Sequence, residues 1–199
     1  MEKIPTLNII HLPNDSLNFP HRELREKSFM QQIEEQGISD WKVWPGLYEK
    51  HDPKKGICMA HKQIVRDAKE NGLKCCLIME DDAVFSAPGA FNYFISQIPE
   101  DYDVFMGLIY VGEIKELRVV NGLSGGVTLY VVHERFYDFL LSIPDSCHID
   151  RELGNTAFLH KYFVCNPYVA FQAGGMSENL RRIMNYGTYH AEMKFYGVL

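Results

Sequence analysis

The run CCLIMEDDAVF at residues 75–85 constrains the fold more than any other stretch of this chain. An uncharged segment passes directly into three consecutive carboxylates, Glu80, Asp81 and Asp82. A short continuous apolar run suits a strand buried on both faces of a sheet. The acids then stand at its C-terminal end, the edge at which open α/β sheets bind ligands. Adjacent carboxylates repel one another, and ordering them in a half-buried loop is costly unless a cation is close. Carboxylate oxygens suit hard cations such as Mg²⁺ or Mn²⁺. The functional reading is a metal and phosphate site at a strand end. The competing reading is a solvated acidic turn.

The surrounding chain alternates strands and helices. Residues 6–12 (TLNIIHL) read as a first strand, ended by Pro13 and a turn-rich Asn14, Asp15 and Ser16. Pro20 opens a predicted helix to about Gln36, with Leu24, Phe29, Met30 and Ile33 as its apolar stripe and Gly37 as its stop. Arg22 and Arg25 sit in its first turns, where cations oppose the helix dipole. A negative group such as a diphosphate would compensate them, and two solvated arginines are the alternative. A short strand at 41–44, a helix at 57–71 closed by Gly72, and the central strand at 73–79 follow. This order predicts an α/β fold with a mostly parallel central sheet flanked by helices.

Beyond the acids, a helix at 88–98 and a buried strand at 102–109 are expected, then a hairpin or loop at 111–120. The strand at 123–132 starts with Gly125 and Gly126, which permit close backbone approach to a ligand or mark a bulge. A helix at 134–143 ends at Pro144, and another at 151–160 has Asp150 as its expected N-cap. An extended segment at 162–169 and a Gly-rich loop at 172–177 complete the described pattern.

Composition narrows the function classes. The formal net charge is −6 and no basic stripe occurs, which argues against nucleic acid as a partner. Five cysteines, without C-x-x-C spacing, read as reduced core residues in a reducing compartment. The first residues, with Glu2 and Lys3, do not read as a signal peptide. No apolar stretch approaches the roughly 20 residues that a transmembrane helix needs. The expected location is cytoplasmic, with the periphery of a membrane as the other placement.

Six segments in order resemble glycosyltransferase family 25, the lipopolysaccharide and collagen sugar transferase type. They are NIIHLP with Arg22 and Arg25 behind it, GICMAH at 56–61, CCLIMEDDAVF at 75–85, GLSGGVTLYVV at 122–132, HIDREL at 148–153, and NPYVAFQ at 166–172 leading to Ser177. Together they span about residues 6–178. Ala60 departs from the family's Ser before His61, and the segment between Asp103 and Gly122 is short for the family. The resemblance implies a single GT-A domain over residues 1–199, with a nucleotide-sugar-binding half at about 1–110 and an acceptor and catalytic half at about 111–199. It implies a hexosyltransferase that moves a sugar from a nucleotide diphosphate donor, a UDP-sugar, to a hydroxyl of a glycan or other acceptor with Mn²⁺ or Mg²⁺.

On that reading Glu80 and Asp82 are the metal-ligand candidates, with Asp82 the first choice for direct contact. Asp81, His61, Arg22, Arg25 and Gln172 are donor-binding candidates, with Ser177 close by. An inverting transfer also needs a base for the acceptor hydroxyl. Asp150 is the candidate and His148 its rival, while helix capping is the competing role for Asp150. A catalytically inactive sugar-nucleotide or glycan-binding module, and a metal-dependent phosphoester hydrolase, are the alternatives.

Overall fold

A computed structural model describes residues 5–12, 21–122, 126–177 and 182–185. The chain starts with β1 (Leu7–His11), whose Leu7, Ile9 and His11 face inward in strict alternation. Helix α1 (His21–Glu35) buries Phe29 and Ile33, while Leu24 and Met30 of the expected stripe stay exposed. Strand β2 (Trp41–Pro45) follows, then α2 (Pro53–Glu70). This helix starts before the expected position because Pro53 occupies its first turn, where a missing N–H costs nothing. Its inward side, including Cys58, Ala60, Ile64, Val65 and Ala68, is buried.

The central strand is β3 (Cys75–Glu80), buried along its length apart from its two ends. Next come β4 (Ala83–Phe85), α3 (Ala90–Ser96), β5 (Val104–Met106), and a hairpin of β6 (Glu113–Lys115) and β7 (Arg118–Asn121). The hairpin was one of the two expectations for this segment. Its turn places Glu116 at φ 51° and Leu117 at φ 65°. After β8 (Leu129–His133) and a 3₁₀ turn come α4 (Tyr137–Ser142), α5 (Ile149–Thr156), β9 (Tyr162–Val164), β10 (Ala170–Gln172), β11 (Gly175–Ser177) and β12 (Arg182–Met184). The segment expected to be a Gly-rich loop thus begins and ends in short strands. Pro20, Gly125 and the expectations for the last part of the chain lie outside the described residues.

Eight strands form one sheet in the order β2-β1-β3-β8-β5-β9-β7-β6. The three strands linked by helices, β2, β1 and β3, are parallel, as are β5 and β9. Strand β8 runs antiparallel to both β3 and β5, and β7 is antiparallel to β9 and β6. The sheet is therefore mixed, with its parallel run at the N-terminal half. Crossover helices impose parallel neighbours, whereas β8 is not preceded by one.

Two features of this sheet position the site. Parallel pairing of β1 with β3 sets Ile10 opposite Glu80, so both strands end at one edge. Antiparallel β8 begins at that same edge, where the Glu80 N–H donates to the Thr128 carbonyl at 2.8 Å. A small second sheet pairs β10 with β4 and sets Gln172 opposite Ala83, next to the acids. One continuous apolar cluster, from Leu7 to Ala170, lies beneath these elements.

Candidate active site

A cleft of about 410 Å³ opens at the shared strand edge. Glu80, Asp81, Asp82, His61, Arg22, Arg25, Gln172 and Asp150 all line it, together with His148 and Ser177. These residues come from β3 and the turn after it, α1, α2, the start of α5, and the β10–β11 segment.

The three acids of the turn have three different environments. Asp81 is buried, and both its oxygens already accept hydrogen bonds from the protein. His11 Nδ1 donates to Oδ2 at 2.7 Å, Arg22 Nη1 to the same oxygen at 3.3 Å, and Arg25 Nη1 to Oδ1 at 2.9 Å. Burial alone raises a carboxyl. At Asp81 the His11 hydrogen bond and the charges of Arg25, Arg22 and His11 outweigh it and hold the group below the usual carboxylate range. The negative group that compensates the two arginines is thus a side chain of the protein itself. What Asp81 supplies to the cleft is the fixed position of Arg25, whose Nη1 also stands 3.6 Å from Asp82.

Asp82 is held differently. Gln172 Nε2 donates to its Oδ2 at 2.9 Å, and the backbone N–H of Ala173 donates to its carbonyl at 2.7 Å. Its other oxygen, Oδ1, is buried and accepts no hydrogen bond among the described residues. Burial, with Glu80 as the next cause, pushes this carboxyl up to about 7. Glu80 is pushed up to about 8, by burial first and then by the charges of Asp150 and Asp81.

His61 links Glu80 to the core. Its Nε2 lies 3.4 Å from Glu80 Oε1, and its Nδ1 lies 2.8 Å from the hydroxyl of Tyr130. Burial pushes His61 down to about 4 against the pull of Asp150, so the ring is neutral at physiological pH. In a neutral ring one nitrogen donates and the other accepts, so His61 bridges the Tyr130 hydroxyl and the Glu80 carboxyl in either tautomer. Ala60, the departure noted in the sequence, is 2% exposed and lies beside His61 on the cleft wall.

Asp150 is the second residue of α5, and His148 occupies the N-cap position. The expectation that Asp150 caps the helix is therefore corrected: the helix begins at Ile149, and the N-cap position, with the extended backbone usual there, is His148 at φ −82° and ψ 107°. The Asp150 carboxylate faces the cleft, 3.9 Å from His148 Nδ1, which is too long for a hydrogen bond. Gly126, with φ 128°, lets the backbone pass close to Ile109, where an added Cβ would lie 3.0 Å from its Cα. That close approach is to the protein's own chain.

A hard cation fits the floor of this cleft. A buried carboxylate oxygen without a partner, beside a second carboxylate, is a site that a cation completes. Among the described residues no three His, Cys, Asp or Glu side chains form a ready-made cage. Mg²⁺-type sites commonly use one or two carboxylates and fill the remaining positions with water and substrate phosphates. Sequence reasoning did not single out His11 or Tyr130. His11 had a usable signal, since it ends the strand that runs beside β3. Tyr130 reads as one more apolar strand residue until α2 brings His61 to it.

No family model and no curated protein matches the chain. Solved structures do. A glycosyltransferase involved in the glycosylation of the major capsid of PBCV-1 superposes with a TM-score of 0.51 at 12% identity, over 82% of this chain and 83% of that one. HddC from Yersinia pseudotuberculosis, complexed with GMP-PN, superposes with a TM-score of 0.50 at 11% identity, over 97% of this chain and 100% of that one. A glucose-1-phosphate thymidylyltransferase described for Bacillus anthracis gives 0.44 at 11% identity, over 82% of this chain and 87% of that one. The α/β architecture is thus shared with the first two of these structures, one of them a glycosyltransferase. Among the described residues, no helix is long and apolar enough to cross a membrane.

Proposed function

We propose that this protein is a metal-dependent glycosyltransferase that moves a sugar from a nucleotide diphosphate donor to a hydroxyl of a glycan or other acceptor, with inversion. The observation that carries the reading is the buried, unpartnered Oδ1 of Asp82 beside Glu80, at the edge of the sheet where Asp150 faces the same cleft. The family 25 resemblance supports UDP as the donor nucleotide and Mn²⁺ or Mg²⁺ as the cation. Asp82 and Glu80 would hold that cation, which when bound offsets the charge that develops on the departing diphosphate.

The rest follows from the chain's own side chains. Asp81 fixes Arg25 and the buried Arg22 beside the cation site, so a diphosphate would meet a guanidinium already oriented for it. Gln172 donates to Oδ2 of Asp82, so that Oδ1 is the oxygen left for the cation. His61 stands 3.4 Å from Glu80 and braces its carboxyl at the cleft. Asp150 takes the proton of the acceptor hydroxyl as the new C–O bond forms and the bond to the diphosphate breaks, with the electron pair leaving on the diphosphate.

Calorimetry with UDP in the presence and absence of Mn²⁺ tests the reading. Mn²⁺-dependent UDP binding is expected, and Asp82→Asn is expected to abolish the dependence while keeping the fold. Removing one carboxylate from a repelling pair should, if anything, raise the apo melting temperature. UDP binding by Asp82→Asn with unchanged Mn²⁺ dependence would show that Asp82 does not hold the cation.

A further inference from the structure

Four arginines line the cleft, and they divide into two pairs by what they face. Arg22 and Arg25 are tied to Asp81. Arg151 and Arg182 are exposed, and among the described residues neither has a carboxylate in ion-pair contact. They come from different elements: Arg151 from the first turn of α5, and Arg182 from β12, where it pairs in register with Ser177. A solvated arginine on a convex surface needs no partner. Two on the wall of one cleft are another matter, because low-dielectric walls focus their field into the cavity.

We propose that this wall receives an acceptor that carries an anionic group, a carboxylate or a phosphate, and that Arg151 and Arg182 hold that group. The inference rests on the transferase reading above and adds the acceptor class to it. Position decides between donor and acceptor. A base that takes the acceptor's proton stands on the acceptor's side, and Arg151 is the residue next to Asp150. The donor diphosphate already has Arg22, Arg25 and the Glu80–Asp82 pair on its own side. Guanidinium forks match carboxylate and phosphate geometry through paired hydrogen bonds. The two arginines also offset the repulsion that an anionic acceptor would otherwise meet from Asp150.

The test uses the full chain with three small probes: methyl β-glucuronide, glucose 6-phosphate and neutral methyl β-glucoside. Binding is read by ligand-observed NMR with and without UDP and Mn²⁺, and UDP affinity is measured separately. The unaltered protein should bind at least one anionic probe about tenfold or more tightly than the neutral one. The two anionic arms separate a carboxylate site from a phosphate site. Arg151→Gln and Arg182→Gln should each remove most of that preference and leave UDP affinity as it was. Equal binding of all three probes by the unaltered protein would overturn the proposal. So would weakened UDP binding in either variant, which would assign the arginines to the donor. If UDP fails to bind the unaltered protein, the donor reading falls, and the anion preference is still read from the probes alone.

Discussion

At the residue scale, the three adjacent acids do three separate things because each meets a different neighbour. Asp81 is neutralised by His11, Arg22 and Arg25, Asp82 is gripped by Gln172, and Glu80 faces His61. The sequence shows the triplet but not this division, since every partner comes from a distant segment. Asp150 was legible as a candidate through the HIDREL segment, with helix capping as its competing role; in the structure His148 holds the cap position of α5 and Asp150 lines the cleft. Asp150→Asn separates catalysis from structure. A lost base should lower kcat by about 10²- to 10⁴-fold with the donor KM little changed. Because the residue is not the cap, the melting temperature should hardly move. Steady-state rates beside a thermal melt decide it. Near-normal turnover would remove Asp150 from the mechanism and make His148 the next candidate.

At the element scale, periodicity found the helices and buried strands because their apolar spacing is local. It gave no sign that β8 inserts antiparallel between β3 and β5, which is a property of long-range pairing. It also placed the start of α2 too late, and the difference matters at Gly56. In the structure Gly56 is inside the first turns of α2 and packs against the 47–49 segment of the cleft wall. Two effects of Gly56→Ala then oppose each other. Helix propensity favours alanine by about 1 kcal/mol. The new Cβ, however, would lie 2.0 Å from the backbone carbonyl oxygen of Leu47, so the backbone of the wall must move. Overpacking of this kind costs about 1–3 kcal/mol or more. The expected outcome is a net loss, seen as a fall of a few degrees in melting temperature. Weaker UDP binding should accompany it, since Leu47 and Tyr48 line the cleft. A variant that melts at or above the unaltered protein would show that the wall yields freely.

At the scale of the whole molecule, the buried acids of the cleft cost stability, and the cost has a pH signature. Glu80 and Asp82 are pushed up to about 8 and about 7, so the folded chain keeps protons that the unfolded chain releases in the ordinary carboxylate range. Stability from these two groups falls as pH rises, until they ionise in the folded state as well. His61 acts in the opposite sense: it is pushed down to about 4 from 6.5, so the unfolded chain holds the extra proton between those values. Below about pH 6.5 the two effects oppose each other, and above it only the carboxyl effect remains. The apo protein should therefore lose melting temperature between about pH 6.5 and 8. Glu80→Gln should flatten that decline, because glutamine carries no titrating proton. On the proposed cation site, excess Mn²⁺ should reverse it, since a cation held by these carboxylates would bind more tightly as they deprotonate. Melting curves for both proteins at half-unit pH steps, with and without Mn²⁺, test the whole scheme. Parallel apo curves for the two proteins would show that Glu80 ionises normally and that the floor of the cleft is not strained by its charges.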